Sequence, residues 1–167
     1  MSILKIIKYP EPILKEMCEP VEKISKELEK LLDDMAETMY AAPGLGLAAP
    51  QVGVLKRVIV VDVSSKEEGQ KRELFQIINP KISKKEGAIE YEEGCLSIPN
   101  FYQIMKRAEK IVIEGLDKKG KQISIEAEGL LAICLQHEID HLDGKLIIDK
   151  ASPLKRKIYL DQVKKKK

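Results

Sequence analysis

Residues 128–143, which read EGLLAICLQHEIDHLD, constrain this chain more than any other stretch. The spacing predicts a helix, and at 3.6 residues per turn His137 and His141 lie one turn apart on one face. Leu131, Leu135, Ile139 and Leu142 gather on the opposite side. Beside the histidines, Leu130, Ile133 and Cys134 fall within about 60° of His137 and extend its stripe toward the helix start. A helix apolar on both sides has no face to turn to water. It therefore runs through the middle of the domain, and Gly144 is well placed to end it.

The other segments read as a mixture. Residues 25–42 form an amphipathic helix, with Ser25 as its cap and Leu28, Leu31, Leu32, Met35 and Met39 on one face. Pro43 and Gly44 break it and open a glycine-rich loop, PGLGLAAPQVG. Strands are expected at 57–63, at 73–79 (stopped by Pro80) and at 88–92, the last leading into Gly94 and Cys95. Residues 109–116 and 121–127 read as a hairpin across the polar turn DKKG. A third helix begins at Pro153 behind a Ser152 cap and runs into the tail. Helix, strands, helix, helix predicts an α+β fold. With no repeat and no linker, residues 1–167 read as one domain.

Composition closes off several classes. A net charge of +2 is too small to argue for a nucleic-acid partner, so no DNA is expected. The four lysines at 164–167 read as a solvated tail. No run approaches the ~18 apolar residues of a membrane span. The opening stretch, interrupted by Lys5, Lys8, Pro10 and Pro12, does not read as a signal peptide. Three cysteines, 18, 95 and 134, are an odd number at unrelated spacings, which argues against a disulfide framework. A reducing, cytoplasmic setting is expected, where a cysteine is free to bind metal.

His137 and His141 are the only histidines in the chain, and they flank Glu138 in the pattern HExxH. Two imidazoles on one helical face can grip one ion, while Glu138, one step round, can handle a proton without being a ligand. Catalytic sites of this kind need a third protein ligand and an open position. Residues 142–167 hold no Glu, His or Cys, and Ile147 stands where HExxHxxGxxH would place a third histidine. Asp143, Asp149 and Asp161 stay open, but without a recognised spacing. Cys95, in the small turn Glu93-Gly94-Cys95-Leu96-Ser97, is the better candidate, since Gly94 permits close backbone approach. Cys18 has no comparable setting. Leu130, Ile133 and Cys134 read equally well as core packing or as an apolar pocket for an unbranched side chain. One thiolate and two imidazoles suit zinc on chemistry alone.

Three segments together resemble the peptide deformylase family: Gly44-Leu45-Gly46-Leu47-Ala48-Ala49-Pro50-Gln51, Glu93-Gly94-Cys95-Leu96-Ser97 and Gln136-His137-Glu138-Ile139-Asp140-His141. They occur in the family's order and approximate spacing, and the flanks at 107–110 and 129–134 are similar too. The resemblance covers essentially the whole chain. It implies strands and short sheets wrapped around a central buried helix that carries HExxH, with a C-terminal helix. It implies removal of the formyl group from N-formylmethionyl peptides by metal-activated water, with Glu138 as general base and then acid. Cys95 is then the third metal ligand beside His137 and His141. The resemblance gives Fe(II) as the physiological metal, with zinc, nickel or cobalt in purified protein. By the same resemblance, the Gln51 side chain and the Leu96 backbone N–H face the oxyanion. Leu45, Leu130, Ile133 and Cys134 wall a methionine pocket, and the Gly46 and Gly94 segments pair with the substrate backbone. The C-terminal helix is expected near the ribosomal exit tunnel, where the lysine tail could meet rRNA phosphates. Three rivals remain in view. A zinc endopeptidase lacks its downstream ligand, and a structural metal module would normally supply four protein ligands. A silent ribosome-binding homologue sits badly with intact Gln51 and Glu138.

Overall fold

A computed structural model of the chain describes residues 2–64 and 71–165, so Lys166 and Lys167 of the basic tail lie outside the described residues. Among the described residues, three helices, α1 (Lys26–Ala41), α2 (Gly129–Leu142) and α3 (Pro153–Lys165), accompany seven strands. These are β1 (Gly46–Ala48), β2 (Val58–Val61), β3 (Phe75–Glu86), β4 (Ile89–Cys95), β5 (Ile98–Arg107), β6 (Lys110–Leu116) and β7 (Gln122–Glu128). One antiparallel sheet has the order β1-β2-β3-β6-β7, and β4 and β5 form a separate antiparallel pair. The architecture is α+β, as expected.

Both faces of β2, inside the larger sheet, are covered. Along β2, Ile59 and Val61 join the core that holds Leu135 and Leu142 of α2. Val58 and Val60 join the core that holds Leu28, Leu32, Met35 and Met39 of α1. Period-two strands between two helices explain why all four β2 residues are buried. Leu135 and Leu142 are fully buried, each worth about 1.5–3 kcal/mol relative to exposure. The double-sided α2 is thus the central helix that its pattern demands. It ends at Gly144, whose φ is +71°; an added Cβ there would come within 2.4 Å of the Lys15 carbonyl oxygen.

Local rules hold where residues act on near neighbours. The Leu28 N–H donates to Ser25 Oγ at 3.1 Å and the Lys155 N–H to Ser152 Oγ at 3.1 Å, so both caps form. Three expectations are corrected. First, β3 does not stop at Pro80. It runs on to Glu86 through a register shift between Ile78 and Lys81, with Asn79 at φ +52°. At such a bulge the missing proline N–H costs no ladder bond. Second, residues 98–107 are a full strand, β5, that the sequence reading left out. Third, the glycine-rich loop is partly regular: β1 is followed by a 3-10 turn, Ala49–Val52.

The N-terminal segment ties the two sides of the future cleft together. The Ile7 N–H donates to the Gln51 carbonyl at 2.7 Å and the Tyr9 N–H to the Ser97 carbonyl at 2.8 Å. From the other end of the chain, Tyr159 of α3 donates to the Pro99 carbonyl at 2.8 Å.

Candidate metal centre and active-site cleft

Helix α2 presents His137 and His141, and β4 ends on Cys95 directly opposite. Cys95 Sγ lies 3.4 Å from His141 Nε2, which lies 3.2 Å from His137 Nε2. All three donor atoms fall within 4.8 Å of one another. Ligand bonds of metal–sulfur and metal–nitrogen length in a tetrahedron require S···N and N···N edges of about 3.5 and 3.3 Å. The two edges that meet at His141 Nε2 therefore match those of a small divalent cation. Two buried atoms, Glu138 Oε1 and His141 Nδ1, have no hydrogen-bond partner among the described residues, which also marks the spot as a place for chemistry.

The two ring nitrogens of His137 are distinguished by their surroundings. Glu93 Oε1 accepts from Nδ1 at 2.8 Å, which leaves Nε2 for the centre. Glu93 is held in turn by a two-pronged Arg107, Nε to Oε2 and Nη2 to Oε1, both at 2.8 Å. The third nitrogen, Nη1, reaches Asp140 Oδ2 at 2.6 Å, so the guanidinium ties β4 and β5 to α2. Burial would raise the Glu93 carboxyl, but its bonds to Arg107 and His137 outweigh that and hold it below the usual range. Burial and the neighbouring His137 ring keep His141 well below an ordinary imidazole, hence neutral and able to ligate. At His137 burial is overruled by Glu138, Cys95 and Glu93, which hold the ring well above the usual value. The centre attracts positive charge. Burial pushes the Glu138 carboxyl up to about 7, against the pull of His137.

Gln51 is oriented without ambiguity. Its Oε1 accepts from the Ala48 N–H at 2.9 Å, so Nε2 must face Ser97 Oγ at 3.0 Å and Cys95 Sγ at 3.6 Å. These residues head a cleft of about 640 Å³. Leu45 and Gly46 form one bank and Gly94, Cys95 and Leu96 the other, with Leu130, Ile133 and Cys134 of α2 between them. Every residue that the resemblance assigns to the site lines this cleft except His141, which is buried, whereas Asp143, Asp149 and Asp161 lie outside it.

The sequence reading missed Arg107, Asp140 and Ser97 as site-building residues and passed over Glu93. A signal for Glu93 existed: two residues before Cys95 on a strand, it shares that residue's side. Tyr91 and Tyr102 also line the cleft, on β4 and β5. Their neighbourhood is visible only once β5 is known.

A sequence profile of the polypeptide deformylase family matches residues 3–157. The chain belongs to that family. A peptide deformylase of Thermodesulfovibrio yellowstonii is 57% identical over 167 residues, covering 100% of both chains. The solved deformylase of Ehrlichia chaffeensis in complex with actinonin superposes with a TM-score of 0.93 at 44% identity, covering 100% of this chain and 99% of that one. The Legionella pneumophila deformylase gives a TM-score of 0.89 at 46% identity, over 98% and 96%. This deformylase-family chain is thus a metal-dependent enzyme that removes the formyl group from nascent peptides. Among its described residues, no helix is long and apolar enough to cross a membrane.

Proposed function

We propose that residues 1–167 act as one cytoplasmic catalytic domain on N-formylmethionyl peptides, with Cys95, His137 and His141 holding a single Fe(II). Zinc, nickel and cobalt satisfy the same donors and are expected in protein purified in air. The observation that carries this reading is the convergence of the three donor atoms beside a buried, proton-competent Glu138. A divalent ion at these donors supplies Lewis-acid activation of water and carbonyl.

The chain's own residues do the rest. Glu138 takes the proton of the attacking water and returns it to the departing amine, a task suited to a carboxyl raised to about 7. The Gln51 N–H that now faces Cys95 and the Leu96 backbone N–H receive the developing oxyanion. Leu45, Leu130, Ile133 and Cys134 take up the methionine side chain. Strand β1 is the outer strand of its sheet, so its free edge at Gly46 can pair with the substrate backbone, as can the Gly94 segment. The formyl group is too small to supply much binding energy, so recognition rests on these contacts.

Anaerobically purified, Fe(II)-loaded protein is expected to release formate from a formyl-Met tripeptide and to lose that activity to a chelator. Folded, metal-loaded protein that releases none would sink the reading. Glu138→Gln should keep the metal and lose turnover by about 10²–10⁴-fold. Gln51→Ala should lose about 10²–10³-fold. Helix α3, with Lys164 and Lys165 in its last turn, is proposed to contact the ribosome near the exit tunnel. Unchanged co-sedimentation at low salt after deletion of residues 163–167 would end that proposal for the tail.

A further inference from the structure

Gly44 and Gly46 are both glycines of the same loop, yet they are needed for different reasons. A Cβ added at Gly44 would meet Leu96 Cδ1 at 2.7 Å, the far end of a side chain that can swing aside. A Cβ at Gly46 would sit 2.5 Å from Glu138 Oε2 and 2.9 Å from both Cδ and Cγ of the same side chain. Its φ is not in the left-handed region, so the backbone would accept alanine. What excludes a side chain is the approach of Glu138.

Neither partner has room to retreat. Gly46 is paired to Val61 in the β1–β2 ladder, and the neighbouring Leu45 carbonyl accepts from the Asp62 N–H at 2.9 Å. Glu138 stands on α2, which is buried from both sides, and is itself 5% exposed. No protein group among the described residues hydrogen-bonds Oε1, so within the chain itself it is the contact with Gly46 that limits where the carboxylate lies.

We propose that Gly46 is a positioning residue for Glu138: its bare backbone is the wall against which the carboxylate is set at the mouth of the metal centre. This rests on Glu138 as the proton carrier and is separate from any pairing of the β1 edge with substrate. That pairing uses backbone atoms, which alanine would retain.

The experiment is Gly46→Ala, assayed for formate release with the metal-loaded enzyme, for metal affinity by chelator competition, and for thermal midpoint. A displaced carboxylate predicts a kcat loss of about 10²-fold, since a 1 Å misplacement costs that much. KM and metal affinity should stay within about threefold, because binding is not what changes. The thermal cost of Gly46→Ala should also vanish in a Glu138→Ala background, where all three clashing atoms are gone. A KM rise with kcat preserved, or equal thermal costs in both backgrounds, would overturn the proposal. If Gly46→Ala alone fails to fold, the double variant must fold like Glu138→Ala, and its failure to do so overturns the proposal as well. Glu138→Gln separates the two readings. An inactive Glu138→Gln beside a fully active Gly46→Ala defeats positioning alone, whereas full activity in Glu138→Gln defeats both.

Discussion

The two sheets are attached to α2 by different physics. The five-stranded sheet meets the helix through Ile59, Val61, Ile77, Ile111 and Ile113, packed on Leu135 and Leu142. The β4–β5 pair is anchored along β5 by Ile98, Phe101 and Met105, which join a core with Leu146, Ile147 and Ile148. Where it faces the histidines, however, it is joined by Glu93, Arg107 and Asp140. Apolar contact is non-directional and tolerates small slides. A guanidinium gripping two carboxylates fixes angles as well as distance. Buried ion pairs often add little net stability over apolar replacements. Their place here, against His137 and two residues from Cys95, indicates that this joint serves geometry and the other serves stability.

Arg107→Met should break the distinction most forcefully. It strands buried Glu93, for an expected loss of about 3–5 kcal/mol in denaturant titration. Chelator competition should show metal affinity falling about 10–100-fold, as for loss of an outer-shell partner. Unchanged metal affinity would mean that the ionic joint does not orient His137. Ile59→Val, on the apolar side, should cost about 0.5–1.5 kcal/mol and leave metal affinity and kcat alone. A change in either would erase the contrast.

A smaller effect concerns acid. Asp34 is held below the usual carboxylate range by hydrogen bonds from Lys30 and the Ser2 N–H. Burial would raise Asp62, but bonds from Ser64 and Tyr40 prevail and hold it low too. A lowered native pKa gives stability that is complete above the unfolded value and disappears as pH falls through the native one. The thermal midpoint should therefore drop below about pH 4. Asp62→Asn should flatten that fall, and an equally steep profile would assign the acid sensitivity elsewhere.

Much of this was legible because the relevant signals are local. The α2 pattern, the Ser25 and Ser152 caps and the β6–β7 hairpin all depend on residues within a few positions of one another. Strand β5 was not legible. It turns Phe101, Met105 and Arg107 inward while leaving Tyr102 and Ile104 more than half exposed, so neither alternation nor charge reports its orientation. Pro80 misled for the opposite reason, since a strong local signal was absorbed by a bulge. Arg107 pairs across 14 and 33 residues with Glu93 and Asp140, and Gln51 across 46 with Ser97. No periodicity encodes such pairings. Cys95, His137 and His141, whose donor atoms converge, were easier to single out because few alternatives existed: two histidines, three cysteines, and one cysteine in a glycine turn.

The order of the larger sheet has one more consequence. Its two margins, β1 and β7, are both rows of backbone groups that another strand could join. Strand β1 is three residues long and recessed in the cleft, open to a single extended segment and too short to template a growing stack. Strand β7 is seven residues long, and along it Gln122, Ser124, Glu126 and Glu128 all face solvent. Another copy laying the same margin alongside would bring like carboxylates together. The molecule thus separates receptivity from stickiness: the edge that admits a guest is short and sheltered, and the edge long enough to polymerise repels its own kind.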